Sequence, residues 1–163
     1  MAKVTGQQLV NWFMRLRGKP YVFGTEQDGK PPDKITSEDC SEGTQNTADQ
    51  NGVIPHLPDG ARNQWRHCRD HGLEISLEDA YTTPGALLFR ITPDGDHVAM
   101  VRGVKGRADK KRDGSPGAID NKEHWLTIEA RGKAWGVGCW EADRPGFMFA
   151  ALIPGVDYGP EWE

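Results

Sequence analysis

The first part of the chain carries apolar residues at the spacing of an α-helix. Three of them share one helical face: Leu9, Phe13 and Leu16. Thr5 followed by Gln8 has the spacing of a capping box, in which each side chain satisfies a backbone amide of the other residue. Gly18 and Pro20 supply the signals that end a helix. The pattern therefore predicts a first helix that begins near Thr5 and ends before Pro20.

Two more helices are predicted in the first half of the chain. Asp39 and Glu42 have capping-box spacing and Asn51-Gly52 is a stop signal, so a second helix should lie between them. Its apolar face is thin and consists of Cys40, Thr44, Thr47 and Ala48. A third helix is predicted within residues 59–72, with one face formed by Ala61, Trp65 and Cys68. Residues 25–38 are polar and contain two prolines, which indicates an inserted loop.

After the third helix the pattern changes to short β-rich runs bounded by Gly, Pro and Asp. The predicted strands are residues 86–91, 97–102, 125–130 and 147–153, with 134–140 as a further candidate. Helices followed by an antiparallel sheet predict an α+β fold, in one domain over residues 1–154. Residues 104–123 are polar and should form a long exposed loop. Residues 155–163 are expected to be an unpacked tail or the start of a linker.

Length and charge restrict the kind of protein. The 163 residues suffice for one substantial core, and the formal net charge of -4 gives no general basic surface for nucleic acid. No apolar run is long enough for a transmembrane helix, so no membrane insertion is expected. The N-terminus lacks the apolar segment of a secretory signal, which indicates synthesis and folding in a cytosol. We expect a monomer that needs no cofactor.

Cysteine chemistry is the first functional signal. An odd count of three in a reducing compartment does not indicate a disulfide framework. If Asp39 caps the second helix, Cys40 is its first residue, where unpaired amides and the helix dipole stabilise a thiolate. Glu42 partly opposes this effect. Cys68 on the face of the third helix and Cys139 in a β-like run are interpreted as small core residues.

A base and an orienting group accompany this thiol in the pattern. His97 follows the turn at residues 92–96 and opens an apolar strand, and Glu129 lies in the strand-like run 125–130. Each alone is more often a structural or solvated residue than a catalytic one. Together, a thiol at a helix start, an imidazole on a strand and a third polar residue match a papain-like cysteine nucleophile.

Five segments follow one another in a specific order. They are Pro20-Tyr21-Val22-Phe23-Gly24, Asp39-Cys40-Ser41-Glu42, Pro84-Gly85-Ala86-Leu87-Leu88-Phe89, His97-Val98-Ala99-Met100 and Thr127-Ile128-Glu129-Ala130. This order resembles the NlpC/p60 family of cell-wall cysteine peptidases, over roughly residues 5–153. Four positions depart from the family pattern: Thr25 and Glu42 replace glycines, Ala86 replaces the usual Asp, and Glu129 stands where His is more common.

The resemblance implies a papain-like NlpC-type fold, with N-terminal helices packed on an antiparallel sheet, and hydrolysis of peptidoglycan stem peptides. Family members typically cut between D-isoglutamate and the diamino acid. Cys40 would attack that carbonyl and its backbone amide would help to hold the oxyanion. His97 would transfer the proton, and Glu129 would accept a hydrogen bond from the imidazole.

The resemblance also implies roles in substrate binding. Tyr21 would lie near the thiol at the wall of the cleft. The counterparts of Asp39 and Ser41 bind the free L-Ala amine of the stem peptide in some relatives, and here Asp39 is expected to cap the helix and position it. The expected partner is bacterial peptidoglycan.

The lack of a signal suggests a phage-encoded lysin, which waits in the host cytoplasm for a holin or travels on the virion. One alternative is a CHAP-type N-acetylmuramoyl-L-alanine amidase, which the Tyr-Val-Phe-Gly segment disfavours. Another is an inactive wall-binding or phage tail module, which Glu42 in the nucleophile motif would support.

Two further features have ordinary interpretations. His67 and His71 have the spacing of metal ligands on a helix, but no third ligand accompanies them, so no metal site is expected. A basic cluster consists of Lys105, Arg107, Lys110, Lys111 and Arg112. It fits a solvated loop, or a surface that approaches anionic wall polymers beside the cleft.

Overall fold

The computed structural model describes residues 3–22, 30–32, 35 and 39–162. Within them the helices are α1 (Gly6–Met14), α2 (Cys40–Gln50), α3 (Ala61–Asp70) and the short α4 (Leu77–Tyr81). The strands are β1 (Glu74–Ile75), β2 (Leu87–Thr92), β3 (Gly95–Gly106), β4 (His124–Ala130), β5 (Val137–Gly138) and β6 (Phe149–Ala151). Most of the inserted loop that was predicted at residues 25–38 lies outside the described residues, as do Phe23, Gly24 and Thr25 of the motif that begins at Pro20.

Helix α1 starts as its sequence predicts. The Gln8 amide donates to the Thr5 hydroxyl at 3.1 Å, and the Thr5 amide donates to the Gln8 side chain at 2.8 Å, which completes the capping box. Its predicted apolar face is fully buried. The chain then turns away through Gly18, whose φ of +93° lies in the region that favours glycine.

Helix α2 is buried along most of its length although its apolar face is thin. Its inward polar groups are satisfied locally: the Thr44 hydroxyl donates to Gln64 Oε1 at 2.6 Å, and the Thr47 hydroxyl to the Gly43 carbonyl at 2.7 Å. A Cβ on Gly43 would lie 2.6 Å from Phe13 Cζ. Glycine at this position therefore lets α2 approach α1 closely, and this close contact holds the N-terminus of α2 against the sheet.

The strands of the described chain form one antiparallel sheet in the order β1-β6-β2-β3-β4-β5. His97 on β3 lies opposite Arg90 on β2. On the other edge of β3, Met100 pairs with Ile128 of β4, and the register shifts between Val101 and Lys105. The central position of β3 places His97 within reach of side chains from both neighbouring strands.

The sheet separates two apolar layers. The larger core packs α1, α2 and α3 against one face and includes Leu9, Phe13, Phe89, Val98 and Ile128. The smaller core lies on the other face of the sheet, where alternate strand residues such as Leu88 and Val101 pack against α4 and its neighbours. This arrangement of helices on an antiparallel sheet is the α+β fold that the sequence predicts.

Several boundaries differ from the expectation. β3 extends past both ends of the predicted run, so the polar loop begins after Gly106 rather than at residue 104. The candidate strand at residues 134–140 is reduced to Val137–Gly138. Strand β1 and helix α4 were not predicted, because each is too short to show a period.

The end of the described chain is packed, in contrast to the tail or linker expected at residues 155–163. The Asp157 amide donates to the Val4 carbonyl at 2.9 Å, and the Asp157 carbonyl accepts from the Gly6 amide at 3.1 Å. The Tyr158 hydroxyl donates to the Gly85 carbonyl at 2.9 Å. Residues 155–158 thus belong to the domain. In the described part of the chain, no helix has both the length and the apolar character needed to span a membrane.

Candidate active site

Cys40 is the first residue of α2, where the sequence predicts it. The Glu42 amide donates to the Asp39 carboxylate at 2.9 Å, so Asp39 is the N-cap. The thiol faces the backbone amide of Val98, the residue that follows His97, and this amide together with that of Ser41 lowers the pKa of the thiol. Burial has the larger effect and raises the pKa of Cys40 to about 11. The helix start thus does not by itself stabilise a thiolate, in contrast to the expectation, and burial favours the neutral thiol.

His97 and Glu129 meet across neighbouring strands. His97 Nε2 lies 2.8 Å from Glu129 Oε1, and both side chains are almost completely buried. Because an ionised carboxylate only accepts hydrogen bonds, this contact assigns the proton of neutral His97 to Nε2. The other ring nitrogen, Nδ1, is then the basic one. The structure thus brings together the imidazole and the carboxylate that the sequence predicts.

Glu129 has two further partners that hold its orientation. Arg144 binds both carboxylate oxygens, with Nη2 at 2.5 Å from Oε1 and Nη1 at 2.9 Å from Oε2. The Thr127 hydroxyl donates to Oε2. Burial alone would raise the pKa of Glu129, but the charge of Arg144 and the hydrogen bonds from His97 and Arg144 outweigh it and hold the pKa below its usual range. The carboxylate is therefore ionised at neutral pH.

Tyr21, Asp39 and Ser41 surround the thiol. Burial, together with smaller contributions from Cys40 and Asp39, raises the pKa of Tyr21 to about 12, so the phenol lies within electrostatic range of both residues. The Ser41 hydroxyl is 3.4 Å from Asp39 Oδ1. The structure thus gathers the predicted binding residues at the start of α2, next to the thiol that they are expected to serve.

Comparison with solved structures finds proteins with a similar fold. The NlpC/p60 domain of the peptidoglycan hydrolase SagA is 23% identical, with a TM-score of 0.60 over 92% of this chain and 100% of that chain. The P60 domain of an antigen of M. avium subspecies paratuberculosis is 22% identical, with a TM-score of 0.61 over 94% of this chain and 96% of that chain. The chain has the NlpC/p60 fold.

A third match has the same fold in a longer protein. The peptidoglycan hydrolase RipB from Mycobacterium tuberculosis is 18% identical, with a TM-score of 0.63 over 94% of this chain and 65% of that chain. No family model matches the sequence. No curated protein matches it either. The family resemblance read from five motifs is thus confirmed in three dimensions, at the level of the fold.

The other two cysteines of the chain lie in its core. Burial raises the pKa of Cys68 to about 12 and that of Cys139 to about 11. Cys139 Sγ lies 3.6 Å from Met14 Sδ and 3.8 Å from Arg102 Nη1. Neither is placed next to a histidine and carboxylate pair, so Cys40 is the better candidate for a nucleophile.

No alternative centre is built elsewhere in the described residues. A cavity of about 620 Å³ is lined by residues such as Ile54, Leu152 and Trp162, and neither Cys40 nor His97 is among its lining residues. The rings of His67 and His71 lie with centroids 4.6 Å apart and planes tilted by 57°. Among the described residues, no group of three or more His, Cys, Asp and Glu side chains could hold a metal ion.

Sequence reasoning missed three residues that shape this site. Thr127 precedes Glu129 by two positions and so shares its face of β4, a relation that the strand period could have revealed. Arg144 and Phe147 lie in the turn-rich segment before β6, where nothing in the local pattern links them to His97. Their roles depend on a contact between distant parts of the chain.

Proposed function

We propose that this protein is a peptidoglycan hydrolase, a cysteine endopeptidase that cuts the stem peptide between D-isoglutamate and the diamino acid. The observation that carries the proposal is the joint placement of Cys40, His97 and Glu129. The Cys40 thiol, at the start of α2, lies against the backbone amide of Val98. The residue before Val98 is His97, whose imidazole is hydrogen-bonded to the buried Glu129 carboxylate. The peptidoglycan hydrolases SagA and RipB, which have the same fold, support the choice of substrate.

The reaction follows from the state of these groups. Because the thiol is neutral at rest, His97 Nδ1 takes its proton as the sulfur attacks the isoglutamyl carbonyl carbon. The backbone amide of Cys40 donates to the resulting oxyanion. When the tetrahedral intermediate collapses, the C–N bond breaks and His97 returns the proton to the leaving amine. Water, activated by the same imidazole, then hydrolyses the thioester and restores the thiol.

Binding residues would select the end of the stem peptide. Tyr21 forms the wall beside the thiol, while the Asp39 carboxylate and the Ser41 hydroxyl could accept hydrogen bonds from the ammonium group of a free L-Ala. Asp39 would then both cap α2 and bind substrate. A role in host lysis by a phage remains a prediction from the sequence.

The decisive experiment is digestion of purified peptidoglycan followed by mass spectrometry of the products. Wild type should release fragments with a new amine on the diamino acid. Cys40→Ala and His97→Ala should lose more than ~100-fold in rate, whereas Cys68→Ala, the matched control on a buried thiol, should remain active. Full activity of Cys40→Ala would contradict the proposal.

The same products distinguish the alternatives. A CHAP-type amidase would instead free the amine of L-Ala and the lactyl carboxylate of the glycan. An inactive wall-binding module would bind the polymer and leave it intact in every variant, which would overturn the enzymatic proposal.

A further inference from the structure

Glu129 binds an imidazole and a guanidinium at the same time. One carboxylate oxygen, Oε1, lies 2.8 Å from His97 Nε2 and 2.5 Å from Arg144 Nη2, while Oε2 lies 2.9 Å from Arg144 Nη1. This fork of two hydrogen bonds is the strong geometry of an arginine–carboxylate pair. The group that orients His97 is therefore an ion pair without net charge, and not an isolated anion.

Arg144 is built into the site. Its side chain is only 9% exposed, and Nη1 also donates to the Glu141 carbonyl at 3.0 Å. The guanidinium lies over the ring of Phe147, 4.6 Å from its centroid, and the same ring stacks with His97 at a centroid distance of 6.1 Å. Phe147 thus fixes both the imidazole and the cation that neutralises its partner.

We propose that Arg144 is a positioning residue, which cancels the charge of Glu129 so that this carboxylate orients His97 without holding a proton on it. This inference rests on the function proposed above for the same site. A buried anion next to an imidazole favours the imidazolium form. An imidazole that is already protonated cannot accept the proton of a neutral thiol, so an isolated Glu129 would disable the base at neutral pH.

Other charged or titratable groups surround these three residues from every adjoining element. Arg90 faces His97 from β2, Cys40 and Asp39 approach from α2, and Asp96 precedes His97 in an ion pair with Arg62 of α3. Tyr21 lies near the thiol, and Arg131 follows β4 within electrostatic range of Glu129 and Arg144. All of them are retained in the variants below, so their contributions cancel in the comparison.

The test is titration of the His97 ring by NMR in four proteins. They are the wild type, Arg144→Gln, Glu129→Gln and the double variant Glu129→Gln/Arg144→Gln. The signals of His97 are assigned by their absence in His97→Asn, since the chain has five histidines.

Opposite shifts are expected from the two single variants. Arg144→Gln deprives the Glu129 anion of its cationic partner, so the midpoint of the His97 titration should rise by about one pH unit or more. Glu129→Gln deprives the Arg144 cation of its anionic partner, so the midpoint of the His97 titration should fall by a similar amount. The double variant removes both charges and should return to within ~0.5 units of wild type. Equal midpoints in all four proteins, or a fall in Arg144→Gln, would overturn the proposal.

Stability and activity provide independent readouts. A purely structural Arg144 would change the unfolding midpoint without moving the titration, whereas Arg144→Lys retains the charge and should keep the wild-type midpoint. If Arg144→Gln does not fold, the comparison of Glu129→Gln with the double variant decides the sign. On a soluble stem peptide, Arg144→Gln should lower kcat near pH 7 with little change in KM, and should shift the acid limb of the rate profile to higher pH.

The two proposals fail in different ways. If no protein hydrolyses peptidoglycan, the proposed function falls, but opposite shifts in the titration would still establish the charge-cancelling role of Arg144. If hydrolysis occurs without any shift, the function stands and the role assigned to Arg144 is wrong.

Discussion

At the scale of single residues, two opposing influences act on Cys40. The amides at the start of α2 and on β3 favour a thiolate, but burial disfavours charge and raises the pKa to about 11 from a reference value of 9.0. In the reaction proposed above, the attack would therefore depend on proton transfer to His97 rather than on a stored thiolate. This is why the proposed roles of Glu129 and Arg144, which bear on the charge of the imidazole, would matter for such a reaction.

The raised pKa predicts slow alkylation of Cys40 at neutral pH. A pKa two units above the reference leaves about 100-fold less thiolate at pH 7. With iodoacetamide, the rate at Cys40 should be low at pH 6–7 and should rise steeply above pH 9, because the thiolate fraction grows tenfold per unit until the pKa is reached. Peptide mapping by mass spectrometry separates Cys40 from Cys68 and Cys139. Rapid, selective labelling of Cys40 at pH 6 would show that the thiolate is the resting form.

At the scale of secondary-structure elements, α2 determines where the Cys40 thiol lies, because Cys40 is its first residue. It is a polar helix that is buried, and its position depends on close contact with α1. Gly43 faces the ring of Phe13, which is itself fully buried. The position of Cys40 therefore depends on Gly43, three residues further along α2, because any side chain at Gly43 would collide with Phe13.

Gly43→Ala should move α2 or strain the contact. The added Cβ would lie 2.6 Å from Phe13 Cζ in a core without room, so we expect a loss of ~1–3 kcal/mol in the free energy of unfolding. Turnover should fall as well, since small displacements of a nucleophile are costly. Urea denaturation and peptide hydrolysis measure the two effects. Phe13→Leu in the same background should recover part of both, and if it recovers neither, the steric explanation is wrong.

The elements also show which parts of the structure the sequence could predict. The capping box at Thr5, the helix start at Cys40 and the strand of His97 depend on neighbours within a few positions, and all three are found where the pattern places them. The pair of hydrogen bonds from Arg144 to Glu129, in contrast, connects a turn to a strand that is distant in the sequence. No periodicity reports such a contact, because folding of the sheet brings the two segments together.

At the scale of the whole molecule, one groove on this acidic protein is lined by several basic side chains. Arg17, Lys110, Lys111 and Arg112 line a groove of about 430 Å³ together with Trp135, although the net charge of the chain is -4. Asp109 also lines it and forms an ion pair with Arg17, so the excess of positive charge comes from Lys110, Lys111 and Arg112. The groove adjoins the segment that leads to Tyr21, because the Val137 amide donates to the Lys19 carbonyl at 2.8 Å. A long anionic polymer that binds in the groove could therefore also reach the thiol.

Charge reversal in this groove should weaken binding to walls and leave the chemistry intact. Lys110 and Arg112 are exposed, whereas Lys111 lies over the ring of Trp135 at 4.6 Å, so the variant Lys110→Glu/Arg112→Glu changes charge without removing that ring contact. It does remove the hydrogen bond from Arg112 Nη1 to the Gly18 carbonyl, which measures 3.1 Å. Because salt screens exposed charges over ~8–10 Å at physiological ionic strength, the loss in sedimentation with intact walls should be greatest at low salt. Hydrolysis of a soluble stem peptide should hardly change.

The matched control reverses two exposed charges elsewhere. Lys3→Glu/Arg66→Glu alters the net charge by the same amount, and both residues are exposed and lie outside the groove. If attraction depends on the local field of the groove, this control should bind walls like wild type at every salt concentration. Equal weakening by both variants would mean that only the total charge matters. Loss of hydrolysis of the soluble peptide in the Lys110 and Arg112 variant would instead mean that the groove shapes the active site, because Cys40, His97 and Glu129 are unchanged in it.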